Sequence, residues 1–138
     1  MSTLSTKTTS PLAKRLIDEI GVENVSETRP DRLNYARDLW PLDTIGVRDG
    51  IVPPSPDVVA WPNNEYQVLQ VLKVAREEKV PLIPYGAGSG VCGGTVPLQG
   101  GVILDLKKMA KIFSVDEKSL LAHVQTGIVG ENFERELN

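Results

Sequence analysis

Between Lys79 and Asp105 the chain carries no charge, and most of its glycines fall there. An apolar run, Val80-Pro81-Leu82-Ile83-Pro84-Tyr85, feeds into Gly86-Ala87-Gly88-Ser89-Gly90-Val91-Cys92-Gly93-Gly94-Thr95, and a second apolar run, Val102-Ile103-Leu104, follows. Two short strands bracketing such a loop constrain the fold more than any other stretch. Glycine lacks a Cβ, so the chain can take positive φ and bring its N–H groups close to a ligand. Successive inward N–H groups make a nest that suits phosphate. A loop of this kind can also be a plain flexible turn. Here the absence of solvating charges, and stiffening by Pro81, Pro84 and Pro97, argue for a built anion site.

Two phosphate-loop templates fail. A P-loop ends in Gly-Lys-Ser/Thr so that the lysine reaches the outer phosphates, and this loop has no lysine. Gly88-Ser89-Gly90-Val91-Cys92-Gly93 matches the dinucleotide pattern G-x-G-x-x-G literally. That pattern must open a helix whose N-terminus holds the pyrophosphate. Residues 94–101, with Pro97, Gly100 and Gly101, are too short and too broken to supply it.

A third template fits on both sides of the loop. Tyr85 to Gly94, followed by Gly100-Gly101-Val102-Ile103-Leu104-Asp105-Leu106, resembles the flavin-binding domain of the vanillyl-alcohol oxidase family, the PCMH-type FAD-binding fold. Its members include glycolate and D-lactate dehydrogenases and the alkyl-dihydroxyacetone-phosphate synthases. The family pattern is Arg-Gly-Gly-Gly-Thr-Ser-x-x-Gly-Gly and then Gly-Gly-hydrophobic-x-hydrophobic-Asp-hydrophobic. This chain departs from it at Tyr85 and at Ala87. An alanine at position 87 fits only if its φ stays negative. Some relatives place a flavin-linked histidine where this chain has Ser89, so the resemblance implies noncovalent FAD.

The resemblance implies a set of cofactor-binding residues: Pro84, Tyr85, Gly86, Ala87, Gly88, Ser89, Gly90 and Val91, acting mainly through backbone N–H groups, and Gly127 close to the flavin. It implies an FAD-dependent oxidoreductase acting on a 2-hydroxy acid such as glycolate or D-lactate. The alternatives are an ether-lipid synthase that uses flavin, or a non-catalytic nucleotide-binding module. In the family the flavin domain runs on and a substrate domain follows. The chain therefore reads as an N-terminal part, inactive alone, with residues 1–53 as lead-in and 54–138 as the first part of the domain. Uncovered apolar faces would then lead to self-association, or to docking of an electron-transfer partner.

The rest of the chain supplies the frame. Ser10-Pro11 opens a helix with Leu12, Leu16, Ile17 and Ile20 as its apolar stripe and Gly21 as its stop. Thr28 starts a short helical piece leading to Tyr35-Ala36-Arg37-Asp38, and the last two residues read as a surface pair or a clasp. Residues 41–57, with four prolines and two glycines, read as a linker without regular structure. Val58 to Trp61 is a strand, Asn63 or Asn64 caps the next helix, with Gln67 completing a capping box if the cap is Asn64, and Val68, Val71, Leu72 and Ala75 form an inward helix face. Strand, helix and strand make a βαβ unit with parallel strands. Ile112 to Val115 and Leu120 to Thr126 form a hairpin that should extend its sheet, and Val129 to Leu137 a helix with Phe133 and Leu137 inward. The fold class is α+β, with a small mixed sheet.

A net charge of −3 without a basic patch argues against nucleic acid. One cysteine excludes an internal disulfide and fits a reducing, cytoplasmic setting. No apolar run reaches the length of a membrane span. The hydroxyl-rich start, MSTLSTKTTS, reads as an ordinary ragged terminus rather than a transit peptide. His123 has no partner that would make it a base, Cys92 reads as a partly buried filler, and no spacing suggests a metal site.

Overall fold

A computed structural model describes residues 9–138. Most of the hydroxyl-rich start therefore lies outside the described residues. Helix α1 spans Pro11–Ile20, and its start is set by Ser10, whose Oγ accepts the Ala13 N–H at 3.2 Å. Gly21, at φ 91°, ends it and donates its N–H to the Ile17 carbonyl. Ala13, Leu16 and Ile20 are buried. A 3-10 turn, Val22–Asn24, leads to the two-residue strand β1, Val25–Ser26. Nothing in the sequence had marked that strand. Thr28 caps α2, Arg29–Asn34.

Residues 41–57 are not wholly irregular, as their prolines and glycines had suggested. Pro41–Arg48 form helix α3. Pro41 stands in the first turn, where its missing N–H would have had no helical partner anyway, and Gly46 weakens a helix without forbidding it. The chain then runs without regular structure to β2, Val58–Ala60.

Helix α4 spans Glu65–Glu78. Asn64 Oδ1 accepts the Gln67 N–H at 2.9 Å, but the Gln67 side chain returns to the N–H of Asn63, at 2.7 Å, so the box closes one residue upstream. Its inward face is Val71, Val74 and Ala75, with Val68 partly buried. Leu72, assigned inward by spacing, is exposed. Glu77 and Glu78 both pair with Arg15 of α1 across an exposed edge, which contributes little to stability.

Strands β3, Leu82–Tyr85, and β4, Val102–Asp105, complete a mixed sheet of order β1-β2-β4-β3. β2 and β3 are both parallel to β4, which lies between them, while β1 runs antiparallel to β2. One sheet face, with Val58, Ala60, Val102 and Leu104, packs on α1 and α4. Val59 and Ile103 point to the other face and meet Tyr85, Tyr35 and Trp61. This is the period-2 alternation of a strand buried on both sides.

Strands β5, Ile112–Asp116, and β6, Leu121–Val124, do form the expected hairpin, but it makes a separate two-stranded sheet rather than extending the first. Its residues are almost all exposed, and none of them pairs with the edge of the first sheet. Helix α5 spans Gly130–Leu137; Phe133 is half-buried, but Leu137 is 47% exposed rather than inward. The two side chains instead line a cavity of about 460 Å³ beside the hairpin, with Leu120 and Leu121.

Candidate functional site

The glycine loop leaves β3 at Tyr85, on the same edge where β2 ends at Ala60 and β4 ends at Asp105. Ligands of open parallel sheets bind beyond the carboxyl ends of the strands. Pro84, Gly86, Ala87, Ser89, Gly90 and Val91 are exposed there, Gly88 is partly covered, and Tyr85 is buried. Gly88 has φ 68° and Gly93 φ 76°, while Ala87 keeps a negative φ, as its methyl requires.

What a Cβ would meet sorts these glycines into two groups. At Gly88 it would lie 2.1 Å from the Tyr85 hydroxyl, at Gly90 3.2 Å from Asp38 Oδ2, and at Gly93 2.9 Å from the Trp40 ring. At Gly86 and Gly94 it would meet nothing within 4 Å. At Gly88 and Gly93 the protein fills the side where a side chain would stand, and at Gly90 Asp38 leaves only a tight fit. The other two leave open space on an exposed loop, which an approaching diphosphate could use.

Beneath the loop lies a polar cluster that sequence reasoning missed. Asp105 is 1% exposed. It accepts the Tyr35 hydroxyl at 2.5 Å, the Lys107 N–H at 2.9 Å and the Lys107 ammonium at 2.7 Å. Trp61 Nε1 donates to the Tyr35 hydroxyl at 2.9 Å. Lys107 Nζ also donates to the Gly86 carbonyl at 3.1 Å and sits over the rings of Tyr35 and Tyr85. A buried carboxylate with three donors is stable where an unpaired one would not be. The cluster thus ties the base of the loop to the end of β4. The family resemblance had marked Asp105, in the run after Gly100-Gly101, and Tyr35, in a lead-in with Asp38, but nothing in the sequence showed that they meet.

Burial, and then the bond to Asp105, raise the Tyr35 hydroxyl above its ordinary pKa. Burial also raises Tyr85, with the charges of Asp105 and Asp38 adding. The folded chain keeps these protons where unfolded tyrosines, at about 10, have begun to lose them. Their contribution is fully present below about pH 10 and is lost as pH rises through the folded values. Thermal melts at about pH 9 and about pH 11 should show a smaller alkaline loss in Tyr35→Phe than in the parent. An equal loss in both would rule out Tyr35 as its source.

The remaining sequence-assigned residues fall as follows. Gly127 is buried, and a Cβ on it would lie 1.6 Å from the Leu106 carbonyl oxygen. Its N–H donates to Met109 O at 2.9 Å. Backbone packing therefore accounts for a glycine there. Cys92 is exposed rather than a partly buried filler, because the loop turns outward at Val91 and Cys92. His123 is exposed and stacks on Phe113. Asp38, read as half of a surface pair or as a clasp, is a clasp: it is buried against the loop, while Arg37 is exposed. Among the described residues no cluster could hold a metal ion, and no helix is long and apolar enough to cross a membrane.

Residues 56–138 match the family described as FAD binding domain. The chain belongs to that family. The chain is 34% identical over 121 residues to glycolate oxidase subunit GlcD of Bacillus subtilis (strain 168), covering 88% of this chain and 24% of that protein. It is 31% identical over 100 residues to the alkyldihydroxyacetonephosphate synthase of Caenorhabditis elegans, covering 70% of this chain and 17% of that one. Among solved structures, an alkyldihydroxyacetonephosphate synthase superposes with a TM-score of 0.83 at 26% identity, over 95% of this chain and 25% of the other. A p-cresol methylhydroxylase superposes with a TM-score of 0.75 at 23% identity, over 91% and 24%, and shares the fold. The chain thus spans about a quarter or less of the length of these relatives. The α+β fold is that of PCMH-type FAD-binding domains, and FAD is the cofactor class of the family.

Proposed function

We propose that this chain is the phosphate-holding first part of a noncovalent FAD site, in an oxidoreductase that oxidises a 2-hydroxy acid such as glycolate or D-lactate. The observation that carries the reading is the exposed glycine loop at the carboxyl edge of three parallel strands, within the segment that matches the FAD binding domain. The loop from Pro84 to Val91 would hold the diphosphate through backbone N–H groups, with Gly86 and Gly94 giving it room. Gly127 stands in the proposal as a neighbour of the flavin, through the turn it packs against. When bound, FAD supplies a two-electron acceptor for the substrate. Ser89 offers no imidazole for a covalent link, which supports noncovalent binding. Residues 1–53 are the lead-in in this reading and 54–138 the first part of the domain. The setting is cytoplasmic. The 2-hydroxy acid reading draws support from the GlcD likeness and from a D-lactate dehydrogenase of Anaerostipes hadrus, 35% identical over 74 residues.

A second reading, a flavin-dependent alkyldihydroxyacetonephosphate synthase, is favoured by the 0.83 superposition. Anaerobic mixing of the flavin-loaded full-length protein with glycolate or D-lactate separates the two. Bleaching of the flavin band supports the oxidoreductase; an unbleached band, with formation of alkyldihydroxyacetone phosphate when a fatty alcohol is supplied as alkyl donor, supports the synthase. The 138-residue polypeptide itself is expected to lose FAD on gel filtration and to self-associate through exposed side chains such as Leu120 and Leu121. A yellow, monomeric peak would show that it contains a sufficient site.

A further inference from the structure

The segment after α2 crosses the outer part of the glycine loop and touches it at successive points. The Leu39 N–H donates to the Gly90 carbonyl at 2.8 Å. The Asp38 carboxylate lies close against the place of a Gly90 side chain, and the Trp40 ring occupies the place of a Gly93 side chain. Asp38 Oδ1 accepts the Trp40 N–H at 2.8 Å, which fixes the turn between them. The literal G-x-G-x-x-G spacing is thus read in part by the protein's own N-terminal segment.

Two polar atoms here remain unpaired. Asp38 is 4% exposed, and its Oδ2 is buried without a hydrogen-bond partner. Thr95 Oγ1, at the far end of the loop, is also buried and unpartnered. Buried polar atoms without partners are uncommon and costly. Asp38 itself is an unsuitable phosphate ligand, because a carboxylate brings no donor and carries the same sign of charge.

We propose that residues 38–40 are a strap that sets the shape of the glycine loop, with Asp38 as its positioning residue, so that strap docking and binding of the FAD diphosphate reinforce each other. The proposal rests on the reading of this loop as the phosphate-holding element. Coupling of this kind is reciprocal: whatever steadies the loop steadies the strap by the same factor.

Hydrogen exchange on the full-length protein, with and without FAD, tests it. FAD is expected to slow exchange at the Leu39 and Trp40 amides at least about fivefold. Asp38→Ala should weaken FAD binding about tenfold. Asp38→Asn keeps an acceptor for the Trp40 N–H and should restore affinity to within about threefold of the parent. If the parent binds FAD while both strap amides exchange unchanged, the strap is independent of the site and the proposal is overturned, though the loop reading survives. Parent-like affinity in Asp38→Ala overturns it in the same way. If the parent binds no FAD, the loop reading itself fails. Should Asp38→Ala not fold, the exchange measurement on the parent decides alone.

Discussion

Gly127→Ala is expected to lower the stability of the chain by about 3 kcal/mol or more, a fall in Tm on the order of 10 °C. The new methyl would lie 1.6 Å from Leu106 O and 2.4 Å from Leu106 C, both backbone atoms that no rotamer change can move aside. Relief requires the Leu106–Met109 turn to open or the chain after β6 to shift, and either breaks the bond from Gly127 N–H to Met109 O. Gly130→Ala provides the control. It lies three residues further on, with nothing within 4 Å of its Cβ position and at the first residue of α5. It should change stability by no more than about 0.5 kcal/mol, since alanine favours a helix. Urea titrations of both variants make the comparison. Parent-like stability in Gly127→Ala would mean that the turn yields freely, and the close packing would then not explain this glycine.

Gly88→Val is expected to abolish FAD binding in the full-length protein while leaving most secondary structure in place. At φ 68° a β-branched residue is strained, and its Cβ would fall 2.1 Å from the Tyr85 hydroxyl. The Tyr85 ring is held edge-on to Tyr35, at a centroid distance of 4.8 Å, so it has little room to retreat. The loop must therefore change shape. Gly86→Val complements this test, because its Cβ position is open and its φ is not positive. It should leave the loop's shape intact and weaken FAD only by standing where the diphosphate approaches. Titration followed by quenching of flavin fluorescence measures both. Parent-like affinity in Gly88→Val would remove the loop as the diphosphate site.

Local chemistry was legible in the sequence. Ser10, Thr28 and Asn64 all cap helices because a short polar side chain before a helix accepts one of its free N–H groups. The loop was legible because glycine without charge, between apolar runs, has few other uses. Helix α3 was not, because Pro41 and Gly46 were weighed as breakers although a proline in the first turn does not break a helix. Val74 rather than Leu72 is buried because the spacing fixes a stripe but not where α1 lies against it. The hairpin's separation from the main sheet, and the contacts of Tyr35, Asp38 and Trp40 with a loop some fifty residues away, depend on tertiary packing that no local window contains.

The position of β4 between β2 and β3 governs how the chain can assemble as it is made. When residue 85 has left the ribosome, β2 has only its antiparallel neighbour β1, and β3 has no strand to pair with. Until Val102–Asp105 emerges, their facing backbone groups stay with water, and Val59 and Ile83 have no Ile103 beside them. Tyr35 likewise waits seventy residues for Asp105. Before then α1, β1, β2 and α4 can associate, through pairs such as Val25 with Ala60 and the packing of α4 on α1. The sheet then closes in one late step as β4 inserts, and nascent chains halted before residue 102 should be sensitive to protease and prone to aggregate.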